Sequence, residues 1–96
     1  MAYQQRAYSK YNSLKKKLPQ PLQKELNRQE DLIASNPLIG EVKSGELEKV
    51  RVHKFRMVNQ LYLLAYLTDH KAQVVTFLAV GGHENFYRDL ERYLQR

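Results

Sequence analysis

The residues best suited to chemistry begin with a cationic segment in the second half of the chain, KVRVHKFR, which ends at Arg56. Side chains of a strand alternate between two faces, so Arg51 and His53 are predicted to stand together with Phe55 on one face. We expect this to be the open face of a sheet. Strict alternation sends Lys54 and Arg56 to the opposite face, and they join the cationic row only if the strand twists out or ends near Phe55.

A second group with chemical potential follows two glycines, in the segment GGHENFY. If a helix begins near Glu84, His83 and Tyr87 lie about one turn apart and share a face. One pocket then holds a histidine, a phenol and the strand's cations. Such a pocket suits RNA cleavage, in which a 2′-hydroxyl attacks the neighbouring phosphate with the help of an acid, a base and cations.

Each candidate residue receives a role under this hypothesis. His83 is the acid or base, His53 is a second proton-transfer or phosphate group, and Tyr87 is a stacking or proton-donating ring. The predicted catalytic residues are Arg51, His53, Arg56, His83 and Tyr87. The predicted nucleic-acid-binding residues are Lys49, Arg51, Lys54 and Arg56.

A structural explanation stands beside every one of these roles. A cationic strand is often only a solvated face of a protein. His53 can pack on Phe55, His83 can cap the last helix, and Tyr87 can belong to the core. His70, which lies between an aspartate and a lysine, is expected to be solvated.

Other kinds of site fit the sequence poorly. The chain has no cysteine, which excludes thiolate zinc sites and cysteine catalysis. The segment HENFY places Tyr87 where a zinc-protease motif needs its second histidine, and Gly81-Gly82 lacks the Gly-Lys-Ser/Thr of a phosphate loop. We therefore predict no metal and no cofactor.

Two amphipathic helices are predicted to open the chain. Apolar residues recur at helical spacing from Ala7 to Leu18, and a second stripe runs from Leu22 to Ile33. Prolines at 19 and 21 separate the stripes, and Asn36-Pro37 ends the second, because a residue before proline disfavours the α conformation. The pair is predicted to form a helical hairpin.

Three strands are predicted next, at residues 47–55, 61–68 and 72–80, with tight turns at 58–60 and 69–71. Short connections make them an antiparallel meander. The segment from His83 onward, with a stripe formed by Phe86, Leu90, Tyr93 and Leu94, predicts a closing helix. The predicted fold is α+β: an N-terminal helical hairpin packed on a small antiparallel sheet of three to four strands, with a C-terminal helix.

Length and charge bound the class of protein. A chain of 96 residues is expected to form one domain, 1–96. It carries 16 Lys and Arg against 10 Asp and Glu, a formal net charge of +6, which favours a polyanionic partner. No stretch approaches the roughly 20 apolar residues of a membrane span, so a cytoplasmic protein without membrane contact is expected.

The second half of the chain resembles the RelE/ParE superfamily of type II toxins. The likeness rests on Asn36-Pro37-x-x-Gly40 with KxGxL after it, on the basic strand VRVHKF, and on AVGGHENFYRDL. It covers about residues 18 to 95. The resemblance implies a small sheet with two helices packed on one side. In ribosome-dependent members, basic residues of this strand and a His or Arg with a Tyr near the last strand carry mRNA cleavage, which points to Arg51, His53, His83 and Tyr87.

Two features depart from that family's pattern. Ribonuclease members often have an arginine in the next strand, where this chain has YLLAY; Arg56 is a candidate replacement. The family usually has an edge strand at the N-terminus. This chain offers only the polar segment AYQQRAY for it, so we expect that strand to be very short or absent. The sheet edge is then free to accept a partner's strand.

Several functions follow from the resemblance. The first is a toxin that is a metal-independent endoribonuclease of mRNA, acting with or without the ribosome. The second is a ParE-like toxin that poisons DNA gyrase by binding, the third a DNA-nicking toxin of the same fold, and the last an RNA-binding module that is not a toxin. The two histidines beside arginines favour the first. The resemblance also implies a cognate antitoxin, expected on the helices and the sheet edge.

Overall fold

The structure is a computed structural model that describes residues 2–42 and 50–82. Its elements are β1 (Gln4–Ala7), α1 (Ser9–Lys16), α2 (Gln20–Ser35), β2 (Glu41–Val42), β3 (Arg51–Met57), β4 (Gln60–Asp69) and β5 (Val74–Gly82). The predicted C-terminal helix, Lys49, His83 and Tyr87 lie outside the described residues.

The described strands form one five-stranded sheet in the order β1-β5-β4-β3-β2. Strands β3, β4 and β5 make the predicted antiparallel meander. The sheet is larger than the three to four strands predicted, and it is mixed, because β1 runs parallel to β5 with Gln4 beside Val74 and Ala7 beside Phe77. The α+β class is confirmed, whereas the purely antiparallel sheet is wrong.

The N-terminal strand, expected to be very short or absent, exists as a strand of four residues. All four residues of β1 are exposed, so the strand carries no alternation of apolar and polar side chains from which to predict it. Backbone hydrogen bonds flank it instead: the Gln4 amide donates to the Gln73 carbonyl at 2.9 Å and the Tyr8 amide to the Phe77 carbonyl at 3.1 Å. The outer edge of β5, predicted to be free, is therefore covered.

The turns fall close to their predicted places. Val58 and Asn59 have φ angles of 52° and 62° and connect Met57 to Gln60 across a two-residue hairpin. Positive φ at both positions is the geometry that matches the twist of the flanking strands. After β4, the Asp69 carboxylate accepts the Ala72 amide at 3.0 Å and closes the second turn.

Both predicted helices form, and they cover one face of the sheet. Helix α2 begins directly after Pro19 and ends at Ser35, ahead of Asn36-Pro37 as predicted. The helices bury Tyr11, Leu26 and Ile33 against a face of the sheet that includes Phe77. Within the described ranges, no helix is long and apolar enough to cross a membrane.

The opposite face of the sheet holds a second apolar cluster. It comprises Val50, Val52, Leu63, Ala65 and Leu78, all of them buried, and it includes no residue of α1 or α2. The two clusters show that β3 alternates as predicted, with Phe55 on the helix side and Val52 on the other.

Candidate functional site

The cationic strand β3 divides its basic residues between the two faces of the sheet. His53 and Phe55 point toward the helices. Arg51, two residues before His53, lies on the same face of the strand because side chains alternate between the two faces. The prediction that Arg51 and His53 stand together on an open face is wrong, because α2 covers His53. An alternating pattern defines two faces but does not say which of them a helix will cover.

His53 is a buried residue in this structure, with 9% of its surface exposed. Its Nε2 lies 2.7 Å from Oε1 of Gln29 on α2, and its ring stacks on Phe55 with centroids 6.1 Å apart. The Gln29 amide nitrogen donates to Glu25 at 2.7 Å, so the Gln29 oxygen is left to accept from His53. Nε2 of His53 is therefore the donor in this contact, and burial lowers the pKa of the imidazole below its usual value, which favours the neutral ring.

Arg51 holds the loop that enters β2. Its guanidinium donates to the carbonyl of Gly40 at 2.7 Å and reaches the carbonyl of Leu38 at 3.4 Å. The phenol of Tyr66 completes this arrangement: it donates to the Pro37 carbonyl at 2.8 Å and accepts the Gly40 amide at 2.9 Å. The motif Asn36-Pro37-x-x-Gly40 is therefore a loop fastened by Arg51 and Tyr66.

Gly40 is required by the close approach of this loop to the sheet. A Cβ at this position would lie 2.8 Å from the Tyr66 hydroxyl and 3.1 Å from the backbone carbon of Val52. Tyr66 is fully buried and has no space into which to move. Sequence reasoning missed Gln29 and Tyr66 as partners of the basic strand, and only the spacing of the motif before Gly40 marked this loop.

Lys54 and Arg56 are the exposed cations of β3. They lie on the face opposite to the helices, as strict alternation indicates, beside Leu63 and Leu61 of β4. They do not share a surface with Arg51 or His53. The strand carries no acidic residue, so nothing within it neutralises these two cations.

The end of β5 leads the chain toward Arg56. Gly81 lies in the same row of the sheet as Leu63 and Lys54, and Gly82 lies in the row of Tyr62 and Phe55. From Gly81 to Gly82 the chain thus advances in the direction of Arg56. His83 is the next residue in sequence.

The remaining described histidine, His70, is exposed as predicted, and Nδ1 of its ring lies 2.9 Å from the Tyr3 hydroxyl. The two rings meet edge to face. In residues 2–42 and 50–82, no group of three His, Asp or Glu side chains is placed to hold a metal ion.

Solved structures with the same fold include toxins and toxin–antitoxin complexes. A chain of the RelBE2 toxin–antitoxin complex of Mycobacterium tuberculosis is 20% identical, with a TM-score of 0.78 over 86% of this chain and 100% of that one. A mutant of the E. coli toxin RelE in the free state is 21% identical, with a TM-score of 0.75 over 97% and 98% of the two chains. A chain of the archaeal RelE–RelB complex of Pyrococcus horikoshii is 15% identical, with a TM-score of 0.64 over 88% and 98%.

No curated protein matches the chain. A family model does match, over residues 3–91, and it describes the ParE-like toxins of type II bacterial toxin–antitoxin systems. The match spans both described ranges of the structure and continues through the segment that contains His83. The resemblance to the RelE/ParE superfamily is confirmed, and the chain belongs to the ParE-like toxins of type II bacterial toxin–antitoxin systems.

Proposed function

We propose that this toxin inhibits growth as a metal-independent endoribonuclease that cleaves mRNA. The observation that carries the proposal is the pair of exposed cations Lys54 and Arg56, toward which β5 directs the chain just before His83. Neighbouring strands lie about 4.8 Å apart, so β3 and β5 are separated by about 10 Å across β4. A phosphate bound by these cations fits within that span.

Each of the candidate residues has a stated role in the proposed cleavage of RNA. The 2′-hydroxyl attacks the adjacent phosphorus, and the 5′-oxygen of the next nucleotide leaves. His83 accepts the proton of the 2′-hydroxyl and gives a proton to the leaving 5′-oxygen, so the products are a 2′,3′-cyclic phosphate and a free 5′-hydroxyl. Lys54 and Arg56 stabilise the charge on the phosphoryl oxygens, Lys49 adds a further phosphate contact, and Tyr87 stacks on a base or donates a proton. The fold shared with RelE supports this proposal at the level of architecture.

Arg51 and His53 become positioning residues in this proposal. Arg51 fastens the loop before β2, and His53 ties β3 to α2 through Gln29. A histidine whose Nε2 already donates to Gln29 is poorly placed to move a proton for the substrate. The nuclease therefore depends on His83 for proton transfer.

A second candidate is a toxin that poisons DNA gyrase by binding, without chemistry of its own. Both described histidines already contact other side chains, which favours this second candidate: His53 is hydrogen-bonded to Gln29, and His70 contacts Tyr3. Strand β4 also has Leu63 and Leu64 in the region where ribonuclease relatives often have an arginine.

Induced expression in growing bacteria separates the two candidates. New mRNA 3′ ends are expected for the nuclease, with intact plasmid DNA. The variant His83→Ala should abolish these ends, while the matched variant His70→Ala, in a surface turn, should leave them. Linearised or relaxed plasmid without new mRNA ends would instead support the gyrase-directed or DNA-nicking function.

We propose further that a cognate antitoxin neutralises this chain. Several solved relatives of the fold are toxin–antitoxin complexes. A docking surface is available at the sheet edge formed by β2, where Leu38, just before the strand, and Val42, within it, are exposed apolar residues. Buried apolar area favours long-lived binding more than surface ion pairs, each worth about 0–1 kcal/mol.

Co-expression with the neighbouring reading frame tests the antitoxin. A stable complex is expected, and Leu38→Glu with Val42→Glu should weaken it. Val58→Glu, at an even more exposed apolar position in the β3–β4 turn, is the control. Good yields of the toxin alone from healthy cells would contradict both the antitoxin and growth inhibition.

A further inference from the structure

The positive charge of this protein is concentrated at its N-terminal end. Residues 1–24 contain six lysines and arginines and no acidic residue, and Glu25 is the first acid in the chain. The remaining 72 residues hold ten basic and ten acidic residues, which cancel. The entire net charge of +6 therefore belongs to a segment remote in sequence from the cationic strand β3.

Helix α1 carries much of this charge on its outer face. Tyr11 is the buried residue of α1 and stacks on Phe77 of β5, with ring centroids 5.5 Å apart. At 3.6 residues per turn, Lys16 falls on the side of the helix opposite to Tyr11, and Lys17 follows it. Lys10, Lys16 and Lys17 are all exposed.

The start of α2 adds a further cation beside the end of α1. The Gln23 side chain donates to the carbonyl of Leu18 at 2.7 Å and reaches that of Lys16 at 3.4 Å, which joins the first turn of α2 to the end of α1. Lys24, the neighbour of Gln23, is exposed. We name these residues the hairpin cations: Lys10, Lys16, Lys17 and Lys24.

The acidic side chains of the two helices interact with other groups. Glu30 accepts from the Tyr11 hydroxyl at 2.6 Å and pairs with Lys15 at 3.0 Å. Glu25 accepts from Gln29 and pairs with Arg28. Because Glu30 and Glu25 are each already paired with a cation, they compensate little of the charge of Lys16, Lys17 and Lys24. Asp31, the remaining acid of α2, accepts from Gln5 at 2.9 Å.

The surface around the hairpin cations is polar, which distinguishes it from a protein-docking surface. Its neighbours on α1 are Ser9, Asn12 and Ser13, all exposed, and the one large exposed apolar residue beside the helix is Tyr8 at its N-cap. The buried centre of a protein interface is rich in apolar side chains. Phosphate backbones are bound by lysines together with hydroxyl and amide groups.

We propose that the hairpin cations form an RNA-backbone-binding surface separate from the β3 cations. The inference rests on the proposed function, because it supplies that nuclease with a second contact to RNA. The helices cover one face of the sheet, whereas Lys54 and Arg56 lie on the other. The hairpin cations therefore bind a second segment of RNA, separate from the segment that is cleaved.

The test measures binding of the full-length chain to a fluorescein-labelled single-stranded RNA in which every 2′-hydroxyl is methylated. Methylation removes the nucleophile, so binding is observed without cleavage. The dissociation constant is determined by fluorescence anisotropy over a range of salt concentrations. Lys16→Glu is compared with Lys71→Glu, at an exposed lysine in the turn before β5, because both change the net charge equally.

We expect Lys16→Glu to weaken binding about tenfold and to reduce the slope of log affinity against log salt by about 0.7, the loss of one phosphate contact. Lys16→Gln should show a smaller loss in the same direction, and Lys71→Glu should bind within about twofold of the unaltered chain. Cooperative thermal unfolding confirms that each variant is folded.

Equal losses for Lys16→Glu and Lys71→Glu would overturn the inference, since only net charge would then matter. Unchanged RNA binding with loss of antitoxin binding in Lys16→Glu would also overturn it and would assign the surface to the protein partner. The proposed function fails separately: a chain that binds methylated RNA through Lys16 but produces no mRNA ends in cells has this surface without being the nuclease.

Discussion

His53 and Gln29 are joined by a 2.7 Å hydrogen bond that connects the middle of the cationic strand to helix α2. The bond commits the Nε2 proton of the imidazole to the amide oxygen. It places a titratable group at the junction of sheet and helix, where protonation affects the stability of the fold.

The first prediction concerns the pH dependence of stability. Burial lowers the pKa of folded His53, so between the ordinary value of 6.5 and the lowered one the unfolded chain binds a proton that the folded chain does not. The contribution of His53 is therefore complete above about pH 6.5 and is lost as the pH falls through that window. Urea unfolding from about pH 7.5 to about pH 5 should show a decline that is reduced in His53→Gln. An equal decline in both proteins would contradict the assignment.

The second prediction concerns Gly40. In Gly40→Ala the new methyl group meets the buried Tyr66 ring, and we expect a loss of about 1–3 kcal/mol in the free energy of unfolding. Tyr66→Phe removes the oxygen that lies 2.8 Å from the added Cβ. In a double-mutant cycle the cost of Gly40→Ala should therefore be smaller in the Tyr66→Phe background. Strict additivity of the two changes would argue against the contact.

The third prediction separates stability from chemistry at Arg51. Arg51→Ala removes the donor to the Gly40 and Leu38 carbonyls and should lower the free energy of unfolding by about 1 kcal/mol. Arg51→Lys should retain part of that stability, since lysine supplies one donor without the planar fork. If Arg51→Ala loses toxicity while its urea midpoint is unchanged, Arg51 contacts the target and is not only a positioning residue.

The fourth prediction concerns the contact between the two helices. The Tyr11 hydroxyl donates to Glu30 at 2.6 Å in a partly buried setting, and burial next to that carboxylate raises the pKa of the phenol. Tyr11→Phe should cost about 1–2 kcal/mol, because Glu30 loses a donor while Lys15 remains. Tyr62→Phe is the control: it removes only an exposed 3.3 Å contact with Gln60 and should change the thermal midpoint little.

Local sequence signals were sufficient for α1, α2 and the meander of β3, β4 and β5. Prolines at 19 and 21 and the pair Asn36-Pro37 mark where α2 begins and ends, since proline restricts the backbone on both sides of itself. The meander followed from apolar segments separated by short turns. Helical spacing and strand alternation are properties of neighbouring residues, and the sequence contains them completely.

The tertiary structure decided which face each functional residue occupies. Alternation separates His53 from Lys54, but the helix that covers His53 contributes Gln29, 24 residues earlier in the chain. Strand β1 depends on backbone pairing with residues about 70 positions away and has no pattern of its own. Arg51 likewise became a loop-fastening residue through carbonyls 11 and 13 residues before it. The sequence by itself determined the two helices, the meander and the alternation of β3. Contacts between distant segments formed β1 and decided that the exposed cations of β3 are Lys54 and Arg56, because burial depends on what packs above a residue.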